Sequence, residues 1–280
     1  MNHATLLIFK IVAEEQSITR AAKKLGRAQS NITTRIQQLE EELDVELFKR
    51  GNKKMVLSTA GKQFLDYALR ILSLAEEAKQ ALHPTKPAGR LRLGAMEATA
   101  ASRLIHLLPQ FRAICPQVEL TLHTQPTQQL TDRVQRAALD CALVSLPVTA
   151  KGELVCPPDI YAIPVFVEQL MLVSTTGPAD SRLAAFPRGC SYRALGEAFF
   201  ASDARVEIQD VGSYHAMIAC IASGGYSGIL PQSVIDILTL PDNCQIQPFK
   251  QVQTQLIWRR GYMSPALSEM RQLLTSAAPF

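Results

Sequence analysis

Apolar residues recur at helical spacing from the start of the chain. Leu6, Phe9, Val12 and Ala13 share one face of a first helix, and Ile18, Ala21, Ala22 and Leu25 the inward face of a second. Ser17 is placed to cap the second helix, and Gly26 to end it in the left-handed conformation that glycine tolerates. A turn through Arg27 and Ala28 leads into a third helix whose buried stripe is Ile32, Ile36 and Leu39. Two short helices joined by a three- or four-residue turn containing glycine make a helix-turn-helix pattern. Beyond Leu47 and Phe48, Gly51 and Asn52 favour a turn, and Met55-Val56-Leu57 completes a two-stranded wing. Ser58 or Thr59 then caps a long helix beginning near Ala60. In it Phe64, Ala68, Ile71, Ala75, Ala78 and Leu82 are spaced 4, 3, 4, 3 and 4 apart. That is the 3.5-residue repeat of a coiled-coil seam and predicts dimerisation through this helix. The helix ends at His83-Pro84, and residues 84–89 read as a hinge.

From Arg90 the pattern alternates between short strands and helices. Strands are predicted at 90–95, 118–124 and 140–146, with helices at 102–114 and 127–138 between them. Two further strands, 160–165 and 169–175, are joined by a short connection. A second set comes next: a strand at 198–202, a helix at 214–222, strands at 227–230, 245–249 and 255–259, and a closing helix at 265–276. Strands separated by helices imply βαβ units, a parallel sheet covered on both faces, and here two α/β lobes. Ligands of such folds bind beyond the carboxyl ends of the strands, near helix N-termini.

Charge gives the N-terminal pattern its function. The whole-chain formal charge of +4 is modest, but between Gln16 and Glu40 the sequence carries Arg20, Lys23, Lys24, Arg27 and Arg35 and no acidic residue. The exposed face of the third helix presents Gln29, Ser30, Asn31, Thr33, Thr34 and Arg35. Gln, Asn and Arg are side chains that read base edges in the major groove, and short hydroxyls accompany them. Lys49, Arg50, Lys53 and Lys54 form a second basic run, on the wing, suited to backbone phosphates.

Other classes of function find little footing. No run approaches the roughly 18 apolar residues of a membrane span, and the first residues lack the pattern of a secretory signal, so a cytoplasmic protein is expected. Cys115, Cys141, Cys156, Cys190, Cys220 and Cys244 are scattered with no CxxC pair, which argues against zinc and leaves a thiol switch as an alternative. His106, His123 and His215 stand alone, without HExxH, GxSxG, Walker or GxGxxG motifs, so neither catalysis nor a cofactor is expected. Asp140 reads as a strand-start or turn group rather than a base, and Ser223-Gly224-Gly225 with Gly228 as a tight helix-to-strand connection, with a phosphate loop as the weaker reading.

With these residues in view, the sequence resembles the LysR-type transcriptional regulators along nearly its whole length. The run Glu14 to Leu25 is similar to the family's first helix-turn-helix helix. Gln29-Ser30, Leu39 to Leu43, Leu47-Phe48-Lys49-Arg50 and Leu57 to Gly61 match the family's segments C-terminal to that helix. Leu139 to Leu143 and Ala222 to Pro231 look like the family's effector domain. The resemblance implies a winged helix-turn-helix over 1–58, a dimerising linker helix over 59–83 and a two-lobed effector domain over 90–280. That domain would be of the type 2 periplasmic-binding-protein kind, lobe I covering about 90–162 and 260–280 and lobe II about 163–259. It also implies a homodimer assembling to a homotetramer on a double-stranded operator, a small-molecule effector in the interlobe cleft, and contact with RNA polymerase. Carried over by position, Gln29, Ser30, Thr33 and Thr34 fall where relatives touch bases, and Arg50 and Lys53 fall at the wing. Many relatives have Arg at position 34, whereas here Thr34 is followed by Arg35. The loop after the first effector strand maps to Glu97-Ala98-Thr99-Ala100, which makes Thr99 and Ala100 candidate ligand contacts, with Thr124, Thr127 and Ser202 around them. Alternatives are a cysteine-based redox regulator of the same family and an α/β solute-binding protein.

Overall fold

The first helix, α1 (His3–Glu15), starts where the Asn2 side chain accepts the Thr5 N–H at 3.0 Å, and ends at Gln16 in the left-handed region. The caps expected next are present. The Ser17 hydroxyl accepts the Arg20 N–H at the start of α2 (Ile18–Leu25), and Gly26 closes that helix at φ +61°. Helix α3 (Gln29–Leu43) buries Ile32, Ile36 and Leu39. Strands β1 (Phe48–Gly51) and β2 (Lys54–Leu57) pair antiparallel as the wing, and the Met55 N–H donates to the Gln16 carbonyl. Ser58 caps the linker helix α4 (Thr59–Ala81), its hydroxyl accepting from the Gly61 N–H at 2.9 Å. These elements share one core, in which Phe9 touches Phe48 and Phe64 at ring-centre distances of 5.4 and 5.1 Å.

A computed structural model describes residues 1–51, 54–81, 87–149, 151–175, 182–201 and 207–276. The chain divides into two compact units, Met1–Leu82 with Arg136–Ala138, and His83–Gln135 with Leu139–Phe280.

The second unit is built on β3 (Ala88–Ala95), α5 (Glu97–Ser102), α6 (Leu104–Ile114), β4 (Gln117–Thr124), α7 (Thr127–Gln135) and β5 (Cys141–Val144). It continues through β6 (Ile160–Ser174), β7 (Arg182–Ala185), α8 (Ser191–Phe200), β8 (Glu207–Asp210), α9 (Tyr214–Ala222) and β9 (Ser227–Pro231). Helix α10 (Gln232–Ile235), β10 (Gln245–Arg259) and α11 (Pro265–Ser276) complete it. One sheet of order β4-β3-β5-β10-β6-β9-β7-β8 runs through both lobes. Leu91, Leu93, Phe111, Trp258 and Met270 pack in one core of this unit, and Leu130, Val144, Val173, Ile221 and Leu230 in another.

Three departures from the sequence pattern have clear causes. The sheet is mixed: β3, β4 and β5 run parallel, as do β7, β8 and β9, but β6 and β10 pair antiparallel through the middle. Each reads as two strands in sequence and is one strand of 15 residues, because register shifts at Pro248/Lys250 and Thr254/Gln255 absorb the apparent breaks. Residues 198–201 are not a strand, and 202 lies outside the described residues. The aromatic run Phe199-Phe200 ends α8, whose buried residues Tyr192, Arg193, Gly196 and Phe200 follow helical spacing. The edge of lobe II is formed instead by β7 and β8. Finally, the helix expected at 102–114 starts earlier and breaks at Arg103, since the alanine-rich run Glu97 to Ser102 favours helix.

Candidate DNA interface and effector cleft

Helix α3 turns Ile32, Ile36 and Leu39 inward, so Gln29, Ser30, Asn31, Thr33, Thr34 and Arg35 are all exposed on its outer side. Two of them are already oriented. The Thr19 hydroxyl donates to Gln29 Oε1 at 3.2 Å, and the Thr33 hydroxyl donates to the Gln29 carbonyl at 3.0 Å. The five basic residues of the acid-free window divide into two groups. Lys24 Nζ lies 2.9 Å from Glu15 and 3.5 Å from Glu14, and Arg20 lies 3.4 Å from the Glu15 carboxylate and also donates to the Glu15 carbonyl. The hydrogen bond from Lys24 holds the Glu15 carboxyl below its usual range, and the same bond raises the Lys24 ammonium. Lys23, Arg27 and Arg35 form no ion pair among the described residues. The acids that compensate this window sit just outside it, at the end of α1.

The wing is held by α3 itself. The Glu40 carboxylate accepts the N–H groups of Leu47 and Phe48 at 2.7 and 3.1 Å, which fixes the chain entering β1. Lys54 is exposed on β2. The side chain of Arg50, and Lys53, Leu82 and Ser202 as a whole, lie outside the described residues. On α4, Ala68 is fully buried in the core of its own unit and Phe64 packs beside it, so these two expected seam positions face inward. The apolar residues left outside are Tyr67, Ile71 and Leu74, with Ala78 exposed one turn on and Ala75 half-buried. Tyr67, Ile71, Leu74 and Ala78 keep the 4, 3, 4 spacing and share Ile71 and Ala78 with the expected seam, with Tyr67 and Leu74 in place of Ala68 and Ala75.

In the second unit a cavity of about 220 Å³ opens between the lobes. Met96, Glu97 and Ala98 line it from the end of β3, residues 124–127 from the end of β4, and Phe186, Cys190 and Tyr192 from the loop after β7 into α8. Gly212 and Tyr214 close it at the start of α9. The lobes are tied beside it: the Gln128 N–H donates to the Gly189 carbonyl at 3.2 Å, and the Ser191 hydroxyl to the Ser145 carbonyl at 2.5 Å. Buried Arg193 donates to the Phe186 carbonyl at 3.1 Å and pairs with Glu197 and Asp210, which positions the loop. Behind the cavity Arg103 pairs with buried Glu168, and the Ser233 hydroxyl donates to the same carboxylate at 2.8 Å. A larger groove of about 1110 Å³ shares Thr127 and Cys190 and is lined further along by Arg188, Lys250 and Gln253.

Of the expected ligand contacts, Thr124 and Thr127 line the cavity, Thr127 with its hydroxyl donating to the Met96 sulfur at 3.1 Å. Thr99 is 3% exposed and, like Ala100, is not among the lining residues; Ala100 packs against the core. Met96, Tyr192 and Tyr214 join the site without any signal in the sequence pattern around them, and Phe186 joins it too. For Phe186 a cue exists, since a loop after a strand is where ligands of this architecture bind, but it requires β7 to be recognised. Asp140 has the structural role expected of it. It accepts the Arg92 N–H at 2.6 Å and the Arg92 guanidinium at 3.1 and 2.5 Å, joining β5 to β3.

All six cysteines are free thiols. Burial raises the pKa of Cys115, Cys141, Cys156, Cys190 and Cys244, most for Cys141. Among the described residues there is no group of three or more His, Cys, Asp or Glu suited to a metal ion, and no helix long and apolar enough to cross a membrane.

Comparison with known proteins agrees with both units. Residues 3–62 match the family described as bacterial regulatory helix-turn-helix protein, lysR family, and residues 84–279 match the LysR substrate binding domain. The chain is 35% identical to YusT, an uncharacterized HTH-type transcriptional regulator of Bacillus subtilis, over 95% of this chain and 93% of that one. A full-length OxyR variant from Pseudomonas aeruginosa superposes with a TM-score of 0.72 at 22% identity, covering 99% of this chain and 94% of that one. Full-length CbnR complexed with its target DNA superposes with a TM-score of 0.66, also at 22% identity, covering 99% and 100%. The chain belongs to the LysR-type transcriptional regulators, DNA-binding proteins that join a helix-turn-helix to an effector-binding domain.

Proposed function

We propose that this regulator reads an operator with the outer face of α3, grips the flanking phosphates with its wing, and changes its binding or bending of DNA when a small metabolite occupies the interlobe cavity. The observation that carries the DNA half is the exposed set Gln29, Ser30, Asn31, Thr33, Thr34 and Arg35 above a buried apolar stripe. Gln and Arg make bidentate contacts to A and G edges, while the hydroxyls and Asn31 supply shorter contacts. Arg50, Lys53 and Lys54 are assigned to backbone phosphates, as is Arg20, although its pairing with Glu15 makes its share smaller. The uncompensated charges of Lys23 and Arg27 add to the sequence-independent attraction.

Dimerisation supports this reading, because paired recognition helices engage half-sites about one turn apart. The exposed stripe of Tyr67, Ile71, Leu74 and Ala78 is the assigned seam, with Ala75 at its edge; Phe64 and Ala68 brace α4 against its own unit. Assembly to a tetramer, contact with RNA polymerase and a cytoplasmic location are part of the proposal, carried over from the family. A CbnR structure in complex with target DNA is in keeping with the operator as partner. Mapping bound DNA across the genome tests the proposal: discrete sites sharing a two-fold motif support it, and uniform occupancy overturns it. The redox alternative has weaker support, since raised thiol pKa values keep the reactive thiolate scarce at neutral pH.

A further inference from the structure

We infer that the interlobe cavity is built for a small ligand bearing a cationic amine, and not for a carboxylate. The inference rests on reading this cavity as the effector site, and adds the ligand's chemistry. Among its described lining residues Glu97 is the one carboxylate and none is Lys or Arg. An anionic ligand placed there meets Glu97 with no cation to offset it, whereas an ammonium meets its counter-charge.

The remaining wall is aromatic. Phe186 and Tyr214 stand edge to face, ring centres 4.9 Å apart and planes at 71°, and Tyr192 adds a third ring to the lining. Ring faces carry negative potential, and cages of this kind bind quaternary and methylated ammonium groups. Tyr192 and Tyr214 are 5% and 4% exposed, and burial is the first cause that pushes both phenols upward, so both rings stay neutral. The Tyr192 hydroxyl lies beside the Thr254 hydroxyl on β10, so the ring rather than the hydroxyl is what this residue offers the cavity.

Two of the helix starts beside it are already engaged, while α5, which begins at Glu97, has no side-chain cap. Ser213 caps α9, accepting the Ala216 N–H at 3.2 Å, and the Cys190 sulfur sits against the N–H groups of Tyr192 and Arg193 at the start of α8. The side-chain oxygen of the lining residue Gln125 accepts from Arg133 at 2.9 Å, which spends that donor within the protein. Arg103, which acts on Tyr192 from behind, is neutralised by Glu168. The larger groove differs in this respect, for Arg188 and Lys250 line it. A volume of about 220 Å³ lies below the ~300–1000 Å³ usual for drug-sized ligands, which restricts the occupant to a few heavy atoms.

The test titrates the full-length chain with tetramethylammonium chloride, sodium benzoate and sodium chloride at matched ionic strength, following binding by calorimetry and by thermal unfolding. Saturable binding of tetramethylammonium is expected, weakened about tenfold or more by Glu97→Gln and by Tyr192→Leu, and untouched by Lys250→Gln. If Tyr192→Leu fails to fold, Glu97→Gln, a half-exposed substitution of equal size, still decides. Saturable benzoate binding with no response to tetramethylammonium overturns the amine inference but keeps the cavity as an effector site. A tetramethylammonium response equal in wild type and Glu97→Gln marks a salt effect and overturns it too. Failure of both probes overturns the inference as well, and leaves operator binding to be judged by its own assay.

Discussion

The two units expose their proposed binding chemistry in opposite ways. The first presents it on a convex helix face: six consecutive or near-consecutive polar residues stand on α3, and the buried stripe beneath them only sets their direction. The second hides it in a concavity assembled from chain segments near 97, 125, 190 and 213, held together by Gln128–Gly189, Ser191–Ser145 and the buried Arg193. A convex reader of a polyanion tolerates polar groups in water and needs little second support. A cavity for a small ligand has to bury its polar groups, so each depends on a partner from a distant part of the chain. The first unit should therefore lose function residue by residue, and the second should lose it together with its fold.

The largest effect is expected in the second unit. Asp140→Ala removes a 5% exposed carboxylate from three Arg92 hydrogen bonds and leaves a largely buried guanidinium without it. A cost of about 3–5 kcal/mol is expected, measured by denaturant unfolding; a change below about 1 kcal/mol would show that solvent compensates Arg92. In the first unit the tightest point is Gly61, where an added Cβ would stand 2.0 Å from the Leu47 carbonyl oxygen. Gly61→Ala should cost about 2–3 kcal/mol and lower only the unfolding transition of that unit. A single transition lowered as a whole would show that the two units unfold together.

A third contrast separates seam from core on one helix. Leu74→Asp, at a position 63% exposed, should dissociate dimers while leaving the fold intact, whereas Ala68→Asp should unfold the first unit. Sedimentation and circular dichroism distinguish the two outcomes, and a Leu74→Asp chain that stays dimeric would move the seam elsewhere. The smallest effect concerns Glu15, whose carboxyl is held low by the hydrogen bond from Lys24. A lowered folded-state value stabilises above the ordinary carboxylate range and is lost as the pH falls through that lowered value. Acid titration of Glu15→Gln against wild type should show a slightly shallower loss of stability, small because the pair is exposed.

The same contrast explains which parts of the molecule are legible in the sequence. Helices α2, α3, α9 and α11 and the wing follow from periodicity, caps and turn residues that lie next to one another in sequence. Phe64 and Ala68 obey the same heptad as Ile71, and only the packing of Phe9 against Phe64 shows that they face their own core. In the effector unit, Phe199-Phe200 resembles a strand because aromatic residues suit strands, and that displaces the expected second-lobe contact to Ser202 when the lining loop comes after β7. Thr99 and Glu97 are two residues apart on a short helix, and that rotation places Glu97 at the cavity and buries Thr99. The pairing of Arg20 and Lys24 with Glu14 and Glu15 is equally invisible in sequence, since it depends on how α2 crosses the end of α1.

The central claim is that the outer face of α3 reads bases, with Arg35, which forms no ion pair among the described residues, as its principal reader. Binding of a mapped operator is best compared across wild type, Arg35→Ala and Arg20→Ala by mobility shift, with an unrelated duplex of equal length as reference. Arg35→Ala is expected to weaken specific binding by about 1–3 kcal/mol and to relax preference at one base pair, while Arg20→Ala, already tied to Glu15, changes it less. Equal losses on operator and unrelated duplex for Arg35→Ala, or none on either, would contradict the recognition-helix account.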